Sequence, residues 1–250
     1  MTPLEGAAIL GAGIAAGGIN TIVGSGSLVT FPTLLALGYP PVVANVSNTV
    51  GLVLGGVSGA IGYRRELAGQ RRRIIELGVA AVLGGITGAA LLLLLPESAF
   101  GAIVPALILV GVVLVILQPR INGWLAKHRE ADHDRVVPML IGAYLASVYG
   151  GYFGAAQGVI LMGVLGIFVH DHMQRLNAAK NVTTTIVNLV AAIVFMIVAD
   201  VSWAAAGLIA VGSIIGGQLG ARVGRRLPPL ALRIVIVVVG LAAIAKLLLD

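Results

Sequence analysis

The sequence predicts an all-α polytopic membrane protein: eight helical segments in two inverted repeats of four, with segments one and five broken into re-entrant hairpins. Three observations predict it. Of the 250 residues 58% are hydrophobic and 10% charged, with a mean hydropathy of +1.04, whereas a soluble domain carries about 25% charged residues. The apolar residues gather into runs of about 20, the length that spans a bilayer's hydrocarbon. A shift of the chain by 133 positions then superposes two halves of equal length.

The eight segments run roughly over 4–37, 42–63, 74–95, 98–117, 137–169, 176–199, 203–222 and 230–248. Between the fourth and fifth lies the only long polar stretch, Gln118 to Arg135, with Arg120, Lys127, Arg129, Glu130, Asp132, Asp134 and Arg135. The expected division is therefore a first membrane repeat over 1–117, a cytoplasmic linker over 118–133 and a second repeat over 134–250. Under the shift, Gly17 and Gly18 fall on Gly150 and Gly151, Asn48 on Asn181, Gly84 on Gly217 and Pro96 on Pro229.

Segments one and five are too long for a single crossing, because about 34 helical residues run ~50 Å against a ~30 Å hydrocarbon core. Breaks are written into both: Gly24-Ser25-Gly26-Ser27 in the first and Gly154-Ala155-Ala156-Gln157-Gly158 in the second. Glycine has a high helix cost and serine competes for backbone hydrogen bonds, so helices stop there. Charge placement favours hairpins over crossings. If both segments return to the side they entered, 15 of the 16 Lys and Arg fall on one side, leaving only Lys246 opposite, as the positive-inside rule asks. Each half then crosses three times, and an odd number inverts the second half relative to the first. Both termini are expected outside the cytoplasm. The first apolar run has no basic region before it and reads as a membrane segment rather than a cleaved signal peptide.

The net charge of +6 reflects loop arginines, so no nucleic-acid partner is expected; the bilayer is the partner. There is no cysteine, hence no thiolate chemistry. His170, Asp171 and His172 are too closely spaced to share a helix face, and His128 and His133 lie in the polar stretch, so no metal site is expected. No GxSxG, HExxH or P-loop pattern occurs, which leaves no catalytic residues and no cofactor to propose. Trp124, Trp203, Tyr39 and Tyr63 near segment ends read as interfacial anchors.

Polar residues inside the apolar segments mark the candidate site. The arm after Gly24-Ser25-Gly26-Ser27 starts a helix whose free amides and positive dipole end suit an anion; the alternative is plain small-residue helix packing. Asn20, Thr21, Ser25, Gly26 and Ser27 come from this hairpin, and Tyr152, Gln157 and Gly158 from the second. In segment six Asn177, Lys180, Asn181, Thr184 and Asn188 follow helical spacing and share a face, although a lysine near a helix end can also snorkel to the headgroups. Asn48, within Asn45-Val46-Ser47-Asn48-Thr49, is the partner of Asn181 under the repeat. Neutral donors with one cation, facing two helix N-termini, complement a small oxyanion. Buried carboxylates for cation coupling are missing from the apolar segments.

With these residues in hand the chain resembles the TauE/SafE, or sulfite exporter, family of membrane permeases. The likeness runs through Gly24-Ser25-Gly26-Ser27, Pro32, Leu37-Gly38-Tyr39-Pro40-Pro41, Ala44, Asn48, Ser58-Gly59 and Tyr63-Arg64-Arg65. It continues through Gly150-Gly151-Tyr152-Phe153-Gly154 and Leu176-Asn177-Ala178-Ala179-Lys180-Asn181. Family members carry glycines where Ser25 and Ser27 stand, so those hydroxyls are particular to this chain. The resemblance implies transport of a sulfur-containing anion, such as sulfite, thiosulfate, sulfoacetate or a related organosulfonate, across a bacterial inner membrane. A passive anion channel and a non-transporting membrane subunit are the alternatives. Glycine-rich helix surfaces also suit a homodimer, which the sequence leaves open.

Overall fold

The computed structural model describes residues 1–127, 135–223 and 229–249; His128, Arg129, Glu130, Asp132, His133, Asp134, Arg225, Arg226 and Asp250 lie outside them, as do the side chains of Trp124, Arg233 and Lys246. The described residues form ten helices and no strand: α1 (Pro3–Ile22), α2 (Ser27–Ala36), α3 (Pro41–Gly62), α4 (Arg71–Leu94), α5 (Glu97–Lys127), α6 (Val136–Tyr152), α7 (Gln157–Phe168), α8 (Met173–Val198), α9 (Trp203–Val223) and α10 (Pro229–Leu249). Five stretches are long and apolar enough to cross a membrane: α3, α4, α8, Glu97–Ile121 of α5 and Trp203–Arg222 of α9.

Local chemistry sets the ends of these helices. α1 opens on a capping box, with the Thr2 amide donating to Glu5 at 2.7 Å and the Glu5 amide to the Thr2 hydroxyl at 3.3 Å, so two amides that the helix leaves orphaned are satisfied. Gly38, at φ +85°, closes α2, and Pro41 at the first turn of α3 supplies a φ already suited to a helix start. α5 runs ten residues past the expected end of segment four, through Pro105 and Pro119. A proline removes one ladder bond and strains its own turn, and here the apolar runs on either side carry the helix through both. The first ten residues of the stretch read as a linker are thus helical.

Both overlong segments divide where glycine and small residues interrupt them. α1 ends before Gly24, at φ +88°, and the chain turns back: a Cβ on Gly26 would stand 3.0 Å from the Asn20 Cβ, while Ala8 and Ala36 line the same cavity. α6 ends before Gly154, at φ +77°, and Ala156 caps α7 in the left-handed region at φ 60°. The Arg135 amide donates to the Phe168 carbonyl at 3.0 Å, closing the open end of that second hairpin. The open ends lie at opposite ends of the molecule. The α1–α2 hairpin opens beside the start of α3, next to Leu37–Pro41; the α6–α7 hairpin opens beside Gly69, Gln70 and Arg72, where α4 begins. Arg64, Arg65, Arg71, Arg72, Arg73, Arg135, Arg175 and Arg222 belong to this second end, whereas Glu5, Glu97 and Asp200 belong to the first.

Two interfaces hold the hairpins. α9 packs along α1 and α3, and α4 packs along α6 and α8. Both rely on backbone approaching backbone: a Cβ on Gly217 would lie 2.8 Å from the Gly55 carbonyl oxygen, and one on Gly151 would lie 2.5 Å from that of Gly85. Small residues are what let membrane helices close to this distance, since lipid offers no hydrophobic drive for their association. Large apolar side chains point outward instead. Val79, Leu83 and Ile86 of α4, Leu109 and Val113 of α5 and Ile197 of α8 are all exposed, a surface that suits lipid and would be a liability in water.

Candidate functional site: the meeting of the two hairpin tips

The tips touch. The Gly158 amide donates to the Gly24 carbonyl at 3.0 Å, and a Cβ on Gly24 would stand 2.5 Å from the Gly158 Cα. Neither position has room for a side chain. Four helix ends therefore converge here: the carbonyl ends of α1 and α6 and the amide ends of α2 and α7.

Polar groups of the first tip meet α3. Asn48 is read from both sides, its Nδ2 donating to the Ser27 hydroxyl at 3.2 Å and its Oδ1 accepting from the Thr30 hydroxyl. Asn45 Nδ2 donates to the Tyr152 carbonyl at 3.0 Å, capping the end of α6. In the second tip the Tyr149 hydroxyl donates to the Ala155 carbonyl at 2.7 Å. The Phe31 and Phe153 rings meet edge to face at 5.2 Å and wall this region, and the Tyr152 ring packs edge-on against Phe100 at 5.7 Å.

On the other side α8 caps α1. Lys180 Nζ donates to the Asn20 carbonyl at 3.1 Å and reaches the Thr21 carbonyl at 3.5 Å, and Asn177 and Asn181 donate their Nδ2 to Thr21 at 3.2 and 3.3 Å. Lys180 is fully buried, at 0% exposure, so the snorkelling alternative does not describe it. The α1 carbonyls left open by the helix end are the reason these donors gather. Thr184 turns back to the Lys180 carbonyl at 3.0 Å and Thr21 to the Gly17 carbonyl at 2.9 Å, so the hydroxyls of these two predicted site residues are spent on their own helices.

Several buried polar atoms find no partner. Ser25 Oγ, Gln157 Nε2, Asn45 Oδ1 and the Tyr152 hydroxyl have no hydrogen bond, although Ser25 is 0% and Gln157 3% exposed. An unmet buried polar group costs about 1–3 kcal/mol, so each of these atoms is a candidate ligand contact. Asn20, Thr21, Ser25, Gly26, Ser27, Tyr152, Gln157 and Gly158 thus belong to the two tips, and Asn48, Asn177, Lys180 and Asn181 are bonded to them from α3 and α8. Sequence reasoning passed over Thr30, whose position three residues after Ser27 puts both hydroxyls on one helix face. A cavity of about 770 Å³ lies elsewhere, between the open end of the first hairpin and α10, with Pro32, Tyr39, Pro40 and Val238 among its lining residues. It is apolar, so chemistry points to the tips and not to this space.

Removing the Tyr149 hydroxyl is expected to lower stability by about 1 kcal/mol, because the Ala155 carbonyl loses its donor in a buried place. Thermal unfolding of Tyr149→Phe in detergent checks this; an unchanged midpoint would mean that the second tip holds its shape without that bond.

At the arginine-rich end, the loop before α8 is tied to the start of α4. Asp171 accepts from Arg73 at 2.7 Å and from Arg175 Nε at 2.9 and 3.0 Å; Arg175 also donates to the Ala68 carbonyl, and Gln70 donates to the Arg175 carbonyl at 3.1 Å. Partial burial disfavours the charged carboxylate, but hydrogen bonds from Arg73, Arg175 and the His172 amide outweigh it and hold the Asp171 carboxyl below the usual carboxylate range. Among the described residues no three His, Cys, Asp or Glu side chains gather as a metal site would need.

The chain is similar to known membrane transporters. The family profile described as "Sulfite exporter TauE/SafE" matches residues 9–247. The chain is 25% identical to a Haemophilus influenzae protein named "Probable membrane transporter protein", over 95% of this chain and 92% of the relative. It is 28% identical to "Probable membrane transporter protein YfcA" of Escherichia coli K12, over 94% and 86%, and 26% identical to "Probable membrane transporter protein ORF9" of a Sinorhizobium species, over 94% and 89%. No solved structure matches the chain significantly.

Proposed function

Because the chain belongs to the TauE/SafE sulfite exporter family, and is a multi-pass protein of the membrane, we propose that it is a secondary carrier of a small sulfur-containing anion, held between the hairpin tips. Sulfite, thiosulfate, sulfoacetate and related organosulfonates are the substrate class. The observation that carries this reading is the pair of buried, unpartnered side-chain atoms Ser25 Oγ and Gln157 Nε2 at the amide ends of α2 and α7, with the unpartnered Tyr152 hydroxyl from the end of α6. The amides that a helix N-terminus leaves unsatisfied can donate to an anion.

In this reading the chain is two inverted repeats: α1–α5 and α6–α10, with α1–α2 and α6–α7 as re-entrant hairpins and 118–133 between the halves. Three features support it. The hairpins open at opposite ends and meet at their tips. The contacts of α9 with α1 and α3 are the counterpart of those of α4 with α6 and α8. Arginines concentrate at one end, which the positive-inside rule makes cytoplasmic. Alternating access would move the halves about the tips, exposing the anion first to one face and then to the other.

The test is uptake of radiolabelled sulfite, thiosulfate and sulfoacetate into proteoliposomes. Saturable uptake with counterflow of at least one is expected, and Ser25→Ala combined with Gln157→Leu is expected to reduce it about tenfold or more, each lost donor being worth roughly 1 kcal/mol. Flux without saturation or counterflow would indicate a passive channel, and no flux or binding for any of them a non-transporting subunit.

A further inference from the structure

We infer that the site between the tips is built for a monovalent oxyanion, because the four helix ends that meet there cancel one another and Lys180, when protonated, supplies a single positive charge. This rests on the anion-carrier reading above and narrows it.

The count starts with the helices. A helix end carries about half an elementary charge, positive at the amide end and negative at the carbonyl end. α1 and α6 bring carbonyl ends to the tips, while α2 and α7, of 10 and 12 residues, bring amide ends. Their sum is near zero. The buried polar side chains described are serines, threonines, asparagines and glutamines apart from Lys180, and no carboxylate lies within ion-pair distance of it among the described residues.

At Thr21 the ammonium is not needed as a cap, because that carbonyl already receives Asn177 and Asn181 and has two lone pairs; the carbonyl it serves is that of Asn20. The equivalent end in the other half, the Tyr152 carbonyl, is capped by the neutral Asn45. Under the shift of 133 the counterpart of Lys180 is Ser47, whose hydroxyl instead accepts from the Ser202 amide at 2.9 Å. A neutral residue therefore suffices where structure alone is served. A buried ammonium without a counter-ion costs several kcal/mol, and a bound monoanion removes that cost. A dianion would leave an unbalanced negative charge in the same water-poor space. The donors that would hold the oxygens are the unpartnered, buried Ser25 Oγ and Gln157 Nε2.

Two matched pairs of probes separate charge from shape. Methanesulfonate and sulfate are both tetrahedral around sulfur and differ by one charge; 2-hydroxyethanesulfonate and sulfoacetate make a larger pair with the same difference. Equilibrium binding to the purified full-length protein is expected to favour the singly charged member of at least one pair about 100-fold, the scale of an unpaired like charge in a closed site. Lys180→Met is expected to abolish that preference and Lys180→Arg to keep it. Equal or tighter binding of the dianions by the wild type overturns the inference while leaving the anion carrier standing, and it decides the matter even if the lysine variants fail to fold. A folded Lys180→Met that keeps the preference overturns it too. Binding of none of the four, nor of sulfite or thiosulfate, removes the carrier reading and the inference with it.

Discussion

Gly24→Ala and Gly158→Ala are each expected to abolish both the folded state and transport. At Gly24 two costs add. Its φ of +88° lies where a side chain costs about 1–3 kcal/mol, and its Cβ would enter within 2.5 Å of the Gly158 Cα. At Gly158 the new Cβ would meet the Gly24 Cα at 2.5 Å and its carbonyl oxygen at 2.9 Å. The obstacle in both cases is backbone, which cannot rotate aside as a side chain does, so the tips must separate and the Gly158 amide must give up the Gly24 carbonyl. A penalty of about 3 kcal/mol or more follows, a large share of a marginal stability. Gly163→Ala on the same helix is the control: nothing lies within 4 Å of its Cβ, and alanine is the better helix former, so stability should hold or rise slightly. Thermal unfolding and size-exclusion profiles of detergent-solubilised protein read all three. Wild-type stability in Gly24→Ala would mean that the tips do not touch in the membrane.

Asp171→Asn is expected to loosen the arginine-rich end. The carboxylate faces Arg73 and Arg175 at 2.7–3.0 Å, with side-chain exposures of 14% for the aspartate, 17% for Arg73 and 30% for Arg175. Its loss leaves two cations side by side with less than full access to water. Breaking a fully buried pair costs about 3–5 kcal/mol and an exposed one under about 1, so roughly 2 kcal/mol is the expected loss. The pH dependence has a definite sign. The folded carboxyl lies below its ordinary value of 3.8, so its contribution is complete above that value and disappears as the pH falls through the folded value beneath it. The wild type should therefore lose stability in acid, below about pH 4, and Asp171→Asn should lack that component. Coinciding acid-unfolding curves would remove Asp171 as the link. Because the same contacts bridge the loop between α3 and α4 to the loop before α8, the variant also tests whether this end opens during transport: faster exchange with weaker stability is the expected combination.

Much of the membrane architecture is readable along the chain because its signals are local or compositional. Apolar runs report the helices whatever they pack against, since lipid imposes the same requirement on each residue. The two breaks announce themselves through glycine and small residues. α5 is the exception: prolines and polar residues after Leu117 read as an ending, yet the helix continues to Lys127, because flanking turns overrule single residues. Polar positions on α8 are similarly visible by their spacing. Thr30 is not, since one threonine in a ten-residue apolar helix looks like any other until Asn48 is placed opposite it.

From the sequence by itself come the solvent, the helices, the two interruptions and the polar residues that a membrane protein would not carry without use. Only the tertiary structure decides what those residues face. Lys180, Asn177 and Asn181 turn to the carbonyl end of α1, Asn45 to that of α6, and Gly24 meets Gly158. The physical reason is range: hydropathy and helix breaking act over a few neighbouring residues, whereas a donor 160 positions away from its acceptor is chosen by which backbones pack closely enough to leave that carbonyl, and no water, in front of it.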